Sequence, residues 1–425
     1  MAMCQVTLGV GSAAPFQKLF REHSRPEVAE CAESQPWPHE PLRALVDALG
    51  NAVDASAAGA SASSSQEDVA RLLRRARRQL VEQLDEADVD SDGEPDPLAG
   101  DGGFDGEERE VIQAFLAGLG LANPWAKAEA ATTSRCERSR EAARRLLAAD
   151  VPSRLVVCLG VLDFEVQKDA IRLFEVLLKM GALSDVGTQI IEYVVSHPSI
   201  LQLLLEGAGT PKVHWQCAQM IRNCACSPHL VKALAEKGAA NRLMELMQHQ
   251  NFDIASEAFS CLKELLLGQK EVSSEFLEAN FQDVFGMWHA LLQDEEDYVR
   301  QRQALKLLGE ILLDRSFMEV MVQYVSNEQF LQIHMKLLRH SSKAIQTDAF
   351  HVFKAFVGNP SKPRRVQQIL YQNKDKLEKH LSTFYARREG DDAFLGDLNA
   401  VIAMIQALEP PPRSQAGSRA PSKQP

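Results

Sequence analysis

The stretch Tyr298-Val-Arg-Gln-Arg-Gln-Ala-Leu-Lys-Leu-Leu-Gly-Glu-Ile-Leu-Leu-Asp-Arg315 decides the fold. Counted from Ala304, the residues at +3, +7 and +8 are Leu307, Ile311 and Leu312. That spacing draws one apolar face on a helix of 3.6 residues per turn. The same frame recurs around Ala170, Ala218, Ala258 and Ala349, so the successive steps are 48, 40, 46 and 45 residues. At +3 the other four units carry Leu173, Ile221, Cys261 and Val352. At +7 they carry Leu177, Ala225, Leu265 and Phe356, and at +8 Leu178, Cys226, Leu266 and Val357. Alanine at the origin lets a neighbouring helix come close. A second helix precedes each of the last four units, marked by Leu204-Leu205, Leu246-Met247, Leu291-Leu292 and Leu337-Leu338. Polar connections such as Gln248-His-Gln-Asn251 and Gln293-Asp-Glu-Glu296 join the two. A helical unit repeated at this period buries its apolar face only against its neighbours. The expected fold is therefore all-α, an α-solenoid of armadillo- or HEAT-like repeats forming a curved rod with a concave binding face.

At 425 residues the chain is long enough for two or three ordinary domains, but a solenoid grows in one dimension and needs no such partition. The net charge of −12 is concentrated. Residues 81–110 hold thirteen Asp or Glu and one Arg, which is −12 by itself, so the remainder is close to neutral. Such a run repels itself and has little to bury. The expected organisation is an N-terminal extension over 1–40, mostly flexible, and a short helical segment over 41–84 with a Ser/Ala linker at Ala55–Ser65. A disordered acidic linker over 85–110 follows, then the repeat domain over 111–408 and a Pro-rich tail over 409–425. No apolar run reaches the ~18 residues of a membrane span, so no membrane insertion is expected. The first residues lack the apolar core of a signal peptide, and the absence of acidic residues before Glu22 leaves organelle targeting as an alternative. Cysteines set within helical stripes (Cys158, Cys217, Cys226, Cys261) suit a reduced, cytoplasmic compartment. No basic domain with interleaved aromatics points to nucleic acid.

Candidate chemistry is sparse. Asp88-Val-Asp-Ser-Asp-Gly93 opens like a calcium loop, but Ala99 stands where the bidentate carboxylate belongs. Cys224-Ala-Cys226-Ser-Pro-His229 brings two thiols and an imidazole together, yet no second ligand cluster follows, and packing is the simpler role. Histidines occur singly, with no repeated partner at helical spacing. No phosphate loop, His-Glu-x-x-His or nucleophile elbow is present. No catalytic residue, cofactor or metal is expected. An enzyme with its site split between repeats is the rival from another class.

The opposite face of the same helices is more informative. Six residues before each alanine stand Phe164, Lys212, Phe252, Tyr298 and Lys343. A slot that takes lysine twice is unsuited to a core, so its aromatics are expected to be at least partly exposed. The alternative is that Phe252 and Tyr298 tuck into the seam between repeats. Two residues before the alanine the slot is polar throughout: Lys168, Gln216, Ser256, Arg302 and Thr347. Tyr298, Arg302 and Lys306, spaced i, i+4, i+8, share one ridge. Exposed rings beside arginine are good anchors for another protein.

Asn251-Phe-Asp-Ile-Ala-Ser-Glu-Ala-Phe259, the Tyr298–Arg315 stretch and Asp348-Ala-Phe-His-Val-Phe-Lys-Ala-Phe-Val-Gly-Asn-Pro360 resemble the calcium-binding protein 39 family, the Mo-twenty-five scaffolds. Leu162-Asp-Phe-Glu165 and Ser274-Glu-Phe-Leu-Glu278 fit the same pattern, and the resemblance runs from about Glu141 to Leu408. A looser likeness at Phe16–Val28 suggests the family's N-terminus, interrupted by the acidic run. The resemblance implies a horseshoe of three-helix repeats acting as a non-enzymatic kinase cofactor. Such scaffolds clasp a STRAD-type pseudokinase or a germinal-centre Ser/Thr kinase on the concave face and hold it active. A separate pocket takes a short Trp-Glu-Phe tail. By resemblance, the kinase-contacting aromatics fall on Phe252 and Tyr298, the arginines on Arg302 and Arg315, and the pocket methionine on Met335, while Lys306 joins the candidate site through its place on the ridge. Gln332 and Gln372 replace two lysines that usually border that pocket, which puts its match to a tail carboxylate in question. A generic armadillo adaptor without a kinase partner is the alternative, although the Asn and Trp ladder of transport solenoids is absent.

Overall fold

The structure is a computed structural model, and it describes residues 39–57, 63–81, 139–183, 185–385 and 391–410. The Asp88–Gly93 loop, the acidic run over 85–110 and the tail beyond 410 lie outside the described residues. Among the described residues all regular structure is helical. The helices are α1 (His39–Ala57), α2 (Ser63–Val81), α3 (139–148), α4 (Val151–Cys158), α5 (Phe164–Leu183), α6 (Asp185–Ser196), α7 (Pro198–Gly207) and α8 (His214–Cys224). Next come α9 (Pro228–Glu236), α10 (Ala239–Leu246), α11 (Phe252–Gly268), α12 (Lys270–Ala279), α13 (Phe281–Gln293) and α14 (Tyr298–Leu312). The last are α15 (Met318–Val325), α16 (Glu328–Leu337), α17 (Lys343–Gly358), α18 (Arg364–Gln372), α19 (Lys374–Ser382) and α20 (Asp392–Gln406). None is long and apolar enough to cross a membrane.

The chain divides into two compact units after Ala233. In the first, α2 packs on α5 and α5 on α8, while α1 packs on α4 and α4 on α7. The Ser/Ala linker expected at Ala55–Ser65 is partly helical, because α1 runs to Ala57 and α2 begins at Ser63. In the second unit the layer α11–α14–α17–α20 stacks on the layer α10–α13–α16, and α12 meets α15. Each helix thus meets its counterpart one repeat later, which is the packing of a solenoid.

The apolar frame explains this layering. All five frame alanines are buried, as are all five residues at +3 and all five at +7. The leucine pairs of the second helices are buried too. Each leucine so covered contributes roughly 1.5–3 kcal/mol of transfer free energy. One member departs. Cys226 at +8 is exposed, contrary to its expected place on the core stripe. The reason is local: α8 ends at Cys224, so position +8 falls in the following turn, and the thiol that enters the core is Cys224. Cys224 and Cys226 therefore do not share one accessible site.

A feature of the repeat missing from the sequence reading sits at −3. Gln167, Gln301 and Gln346 are buried there and donate from Nε2 to the carbonyls of Leu159 (2.7 Å), Leu292 (2.9 Å) and His340 (2.6 Å). Each carbonyl belongs to the end of the preceding helix or the turn after it. The glutamine satisfies an acceptor that the helix end leaves open. The signal was legible as a glutamine three residues before the alanine in three of five units.

Candidate partner-binding site

The −6 slot is the first residue of α5, α11, α14 and α17. A cap places it there: Asn251 Oδ1 accepts from the Asp253 and Ile254 amides, and Asp297 Oδ1 from the Arg300 amide. A side chain on the first turn has no preceding turn to lie against, so it projects into solvent. Phe164 is 55% exposed, Phe252 69% and Tyr298 43%, and Lys212 and Lys343 are exposed as well. The rings do not tuck into the seam. Sequence periodicity and structure agree on this slot in every unit.

Arg302 sits one turn further along α14. Its Nε donates to Asp348 Oδ2 on α17 at 3.1 Å, with 40% of the side chain accessible. The hydrogen bond to Asp348 raises the guanidinium pKa, and the nearby Tyr298 hydroxyl adds to the effect. Only one of five guanidinium donors is needed for Asp348. The fork is pre-oriented beside Tyr298 with donors to spare. Lys306 is exposed one turn beyond, with no ion-pair partner among the described residues. Similar pairs tie the neighbouring steps of the same layer, Lys263 to Glu310 at 2.8 Å and Lys354 to Asp397 at 2.5 Å.

Tyr298, Arg302 and Lys306 are thus brought onto one ridge, and Phe252 opens α11, which packs beside α14. Arg315 is exposed but lies past the far end of α14, whose span from Tyr298 to Leu312 is roughly 21 Å at 1.5 Å per residue. The loop carrying it is anchored by Lys270, whose ammonium sits 2.7 Å from Asp314 and holds that carboxyl down at about 2. Gln332 and Met335 are on α16, the first exposed and the second half-buried, and α16 packs on α18, whose last residue is the exposed Gln372. These three belong to α16 and α18, whereas the ridge residues belong to α11 and α14.

Two features escaped the sequence. In the first unit α8 starts two residues late, so Gln216 is buried rather than facing solvent, and Trp215 is the exposed residue instead. Trp215 lies 6.4 Å from the Phe164 ring, and the Lys168 ammonium stands 4.4 Å over Phe164. The histidines expected to be single are also brought together. His289 on α13 and His334 on α16 flank the buried Tyr324 hydroxyl of α15 at 3.1 and 2.9 Å. They stand 45 residues apart, one repeat. Burial pushes His289 down to about 4 and His334 to about 3, so both are neutral. Enclosed in the core, the trio is structural.

Stacked helix layers with this outward ridge define an armadillo-type α-solenoid. The Mo25-like family model matches residues 125–409, and the chain belongs to that family, whose members are scaffold proteins rather than enzymes. A "Degreening-related gene dee76 protein" of Auxenochlorella protothecoides is 40% identical over 60% of this chain and 79% of its own length. The Homo sapiens "Calcium-binding protein 39-like" is 36% identical over 64% and 80%. The Caenorhabditis elegans "MO25-like protein 2" is 35% identical over 72% and 90%. Among solved structures, a computationally designed armadillo repeat protein aligns at TM-score 0.38 and 18% identity over 60% of this chain and 98% of its own.

Proposed function

We propose that this protein is a non-enzymatic cytoplasmic scaffold that binds and allosterically activates a Ser/Thr kinase or pseudokinase of the STRAD or germinal-centre class. The grip is the ridge of Phe252, Tyr298, Arg302 and Lys306, with Arg315 contacting the partner separately. Gln332, Met335 and Gln372 form the surface for a short Trp-Glu-Phe-like tail. One observation carries the reading: Phe252 and Tyr298, at the heads of α11 and α14, keep their rings in water, and Arg302, one turn after Tyr298, is already fixed by Asp348. An arginine held in place before binding loses little freedom on docking. A scaffold that fits only the active kinase conformer raises that conformer's share by its differential affinity.

Affinity purification from native extract tests this. The wild-type chain is expected to co-elute with a kinase or pseudokinase, and the co-eluting kinase activity is expected to rise. Arg302→Ala and Phe252→Ala are expected to lose the kinase at least tenfold while the melting curve stays within a few degrees, because exposed pairs contribute about 0–1 kcal/mol. Undiminished kinase recovery with both variants, or an eluate without kinase, sinks the reading.

A further inference from the structure

A second candidate site lies at the C-terminal end of α16. Between the end of α13, the head of α14 and the end of α16 is a cavity of about 440 Å³. That volume is within the usual range of ligand pockets. Leu292 and Leu337 are buried at its wall, joined by the half-buried Ile333. Its polar side is cationic. Two cations, Lys336 and Arg339, line it against one carboxylate, Glu295, with His340 beside them. Lys336 is 2.7 Å from Glu295, but both side chains are 61% exposed, so a competing carboxylate displaces that pair at little cost. Arg339 is exposed and has no ion-pair partner among the described residues. The buried Gln301 amide is spent on the Leu292 carbonyl, which fixes the apolar wall and leaves recognition to the cations.

We propose that this cavity binds a short acidic peptide segment of a partner protein, one aliphatic side chain seated against Leu292, Ile333 and Leu337 and the adjacent carboxylates held by Arg339 and Lys336. The fork of Arg339 suits a carboxylate bidentately. The site is independent of the ridge: it uses none of Phe252, Tyr298, Arg302 or Lys306.

Isothermal titration of the full-length chain with acetyl-Gly-Leu-Glu-Asp-Gly-amide tests it, with acetyl-Gly-Leu-Lys-Lys-Gly-amide as the charge-reversed probe. The acidic peptide is expected to bind at least tenfold more tightly than the basic one. Arg339→Glu and Lys336→Glu are each expected to weaken it tenfold or more, and Arg339→Gln by less. Both positions are exposed, and an unchanged circular-dichroism melt shows that the fold is kept. Phe252→Ala is expected to leave the affinity unchanged, which separates failure of this site from failure of the ridge. No heat up to millimolar peptide, equal binding of the two probes, wild-type affinity in Arg339→Glu, or a loss in Phe252→Ala overturns the assignment.

Discussion

Tyr324 carries one hydroxyl between two imidazoles, so it donates to one and accepts from the other. His334 Nδ1 is buried without a partner. A bare lone pair there is less costly than a stranded N–H, so the favoured arrangement has His334 Nε2–H donating to Tyr324 and Tyr324 donating to His289 Nε2. A proton on His289 Nε2 would break this order, and a proton on His334 Nδ1 would leave a buried N–H without an acceptor. The unfolded chain takes one at about pH 6.5, whereas the folded values are about 4 and about 3. The folded state therefore binds fewer protons between these limits, and its stability is full above pH 6.5 and falls as pH drops through the window. His334→Gln removes one titrating group while a side-chain amide still reaches the hydroxyl. The slope of unfolding free energy against pH, measured by urea denaturation between pH 6 and 4.5, is expected to flatten by about 1.4 kcal/mol per pH unit, one proton's worth. An unchanged slope means that His334 is already charged in the fold. The trio was legible only through the repeat, because the two histidines differ by one period and not by one helical turn.

Between elements, the apolar frame is what a sequence can reveal, and it did so at Ala304, Leu307 and Ile311. Where a helix stops is a different matter. Cys226 has the right spacing yet is exposed, because spacing does not report that α8 ends at Cys224. The exposure of Phe252 and Tyr298 was legible, since lysine in the same slot of other units sets a solvent limit on it. The pairing of Arg302 with Asp348 was not, because it joins side chains of adjacent repeats. Close approach is a further element-scale property, and Gly207 shows it. A Cβ at Gly207, the last residue of α7, would overlap Cys217 Sγ on α8. Gly207→Ala is expected to cost roughly 1–3 kcal/mol as overpacking. Adding Cys217→Ala removes the obstructing sulfur, so the double variant is expected to lose less than the two single changes predict together. Strict additivity in thermal melts is the result that refutes the contact.

At the scale of the molecule, the two units each hold their own layers and their own core, one on either side of Ala233. In a repeat array, stability is a sum of local terms and nearest-neighbour interfaces, so damage spreads along the stack and fades with distance. Leu308 is fully buried on α14, inside the second unit. Leu308→Ala removes three methyl-equivalent groups from that packing and is expected to cost about 2–5 kcal/mol locally. Native-state hydrogen exchange read by mass spectrometry gives the location of the loss. Amides of α14 and of α17, which packs on it, are expected to exchange at least tenfold faster, since 1.4 kcal/mol already shifts an opening equilibrium tenfold. Amides of α5 in the first unit are expected to keep their wild-type protection. Equal acceleration in α5 would mean that the chain opens as one cooperative body, and the nearest-neighbour description of this solenoid would then be wrong.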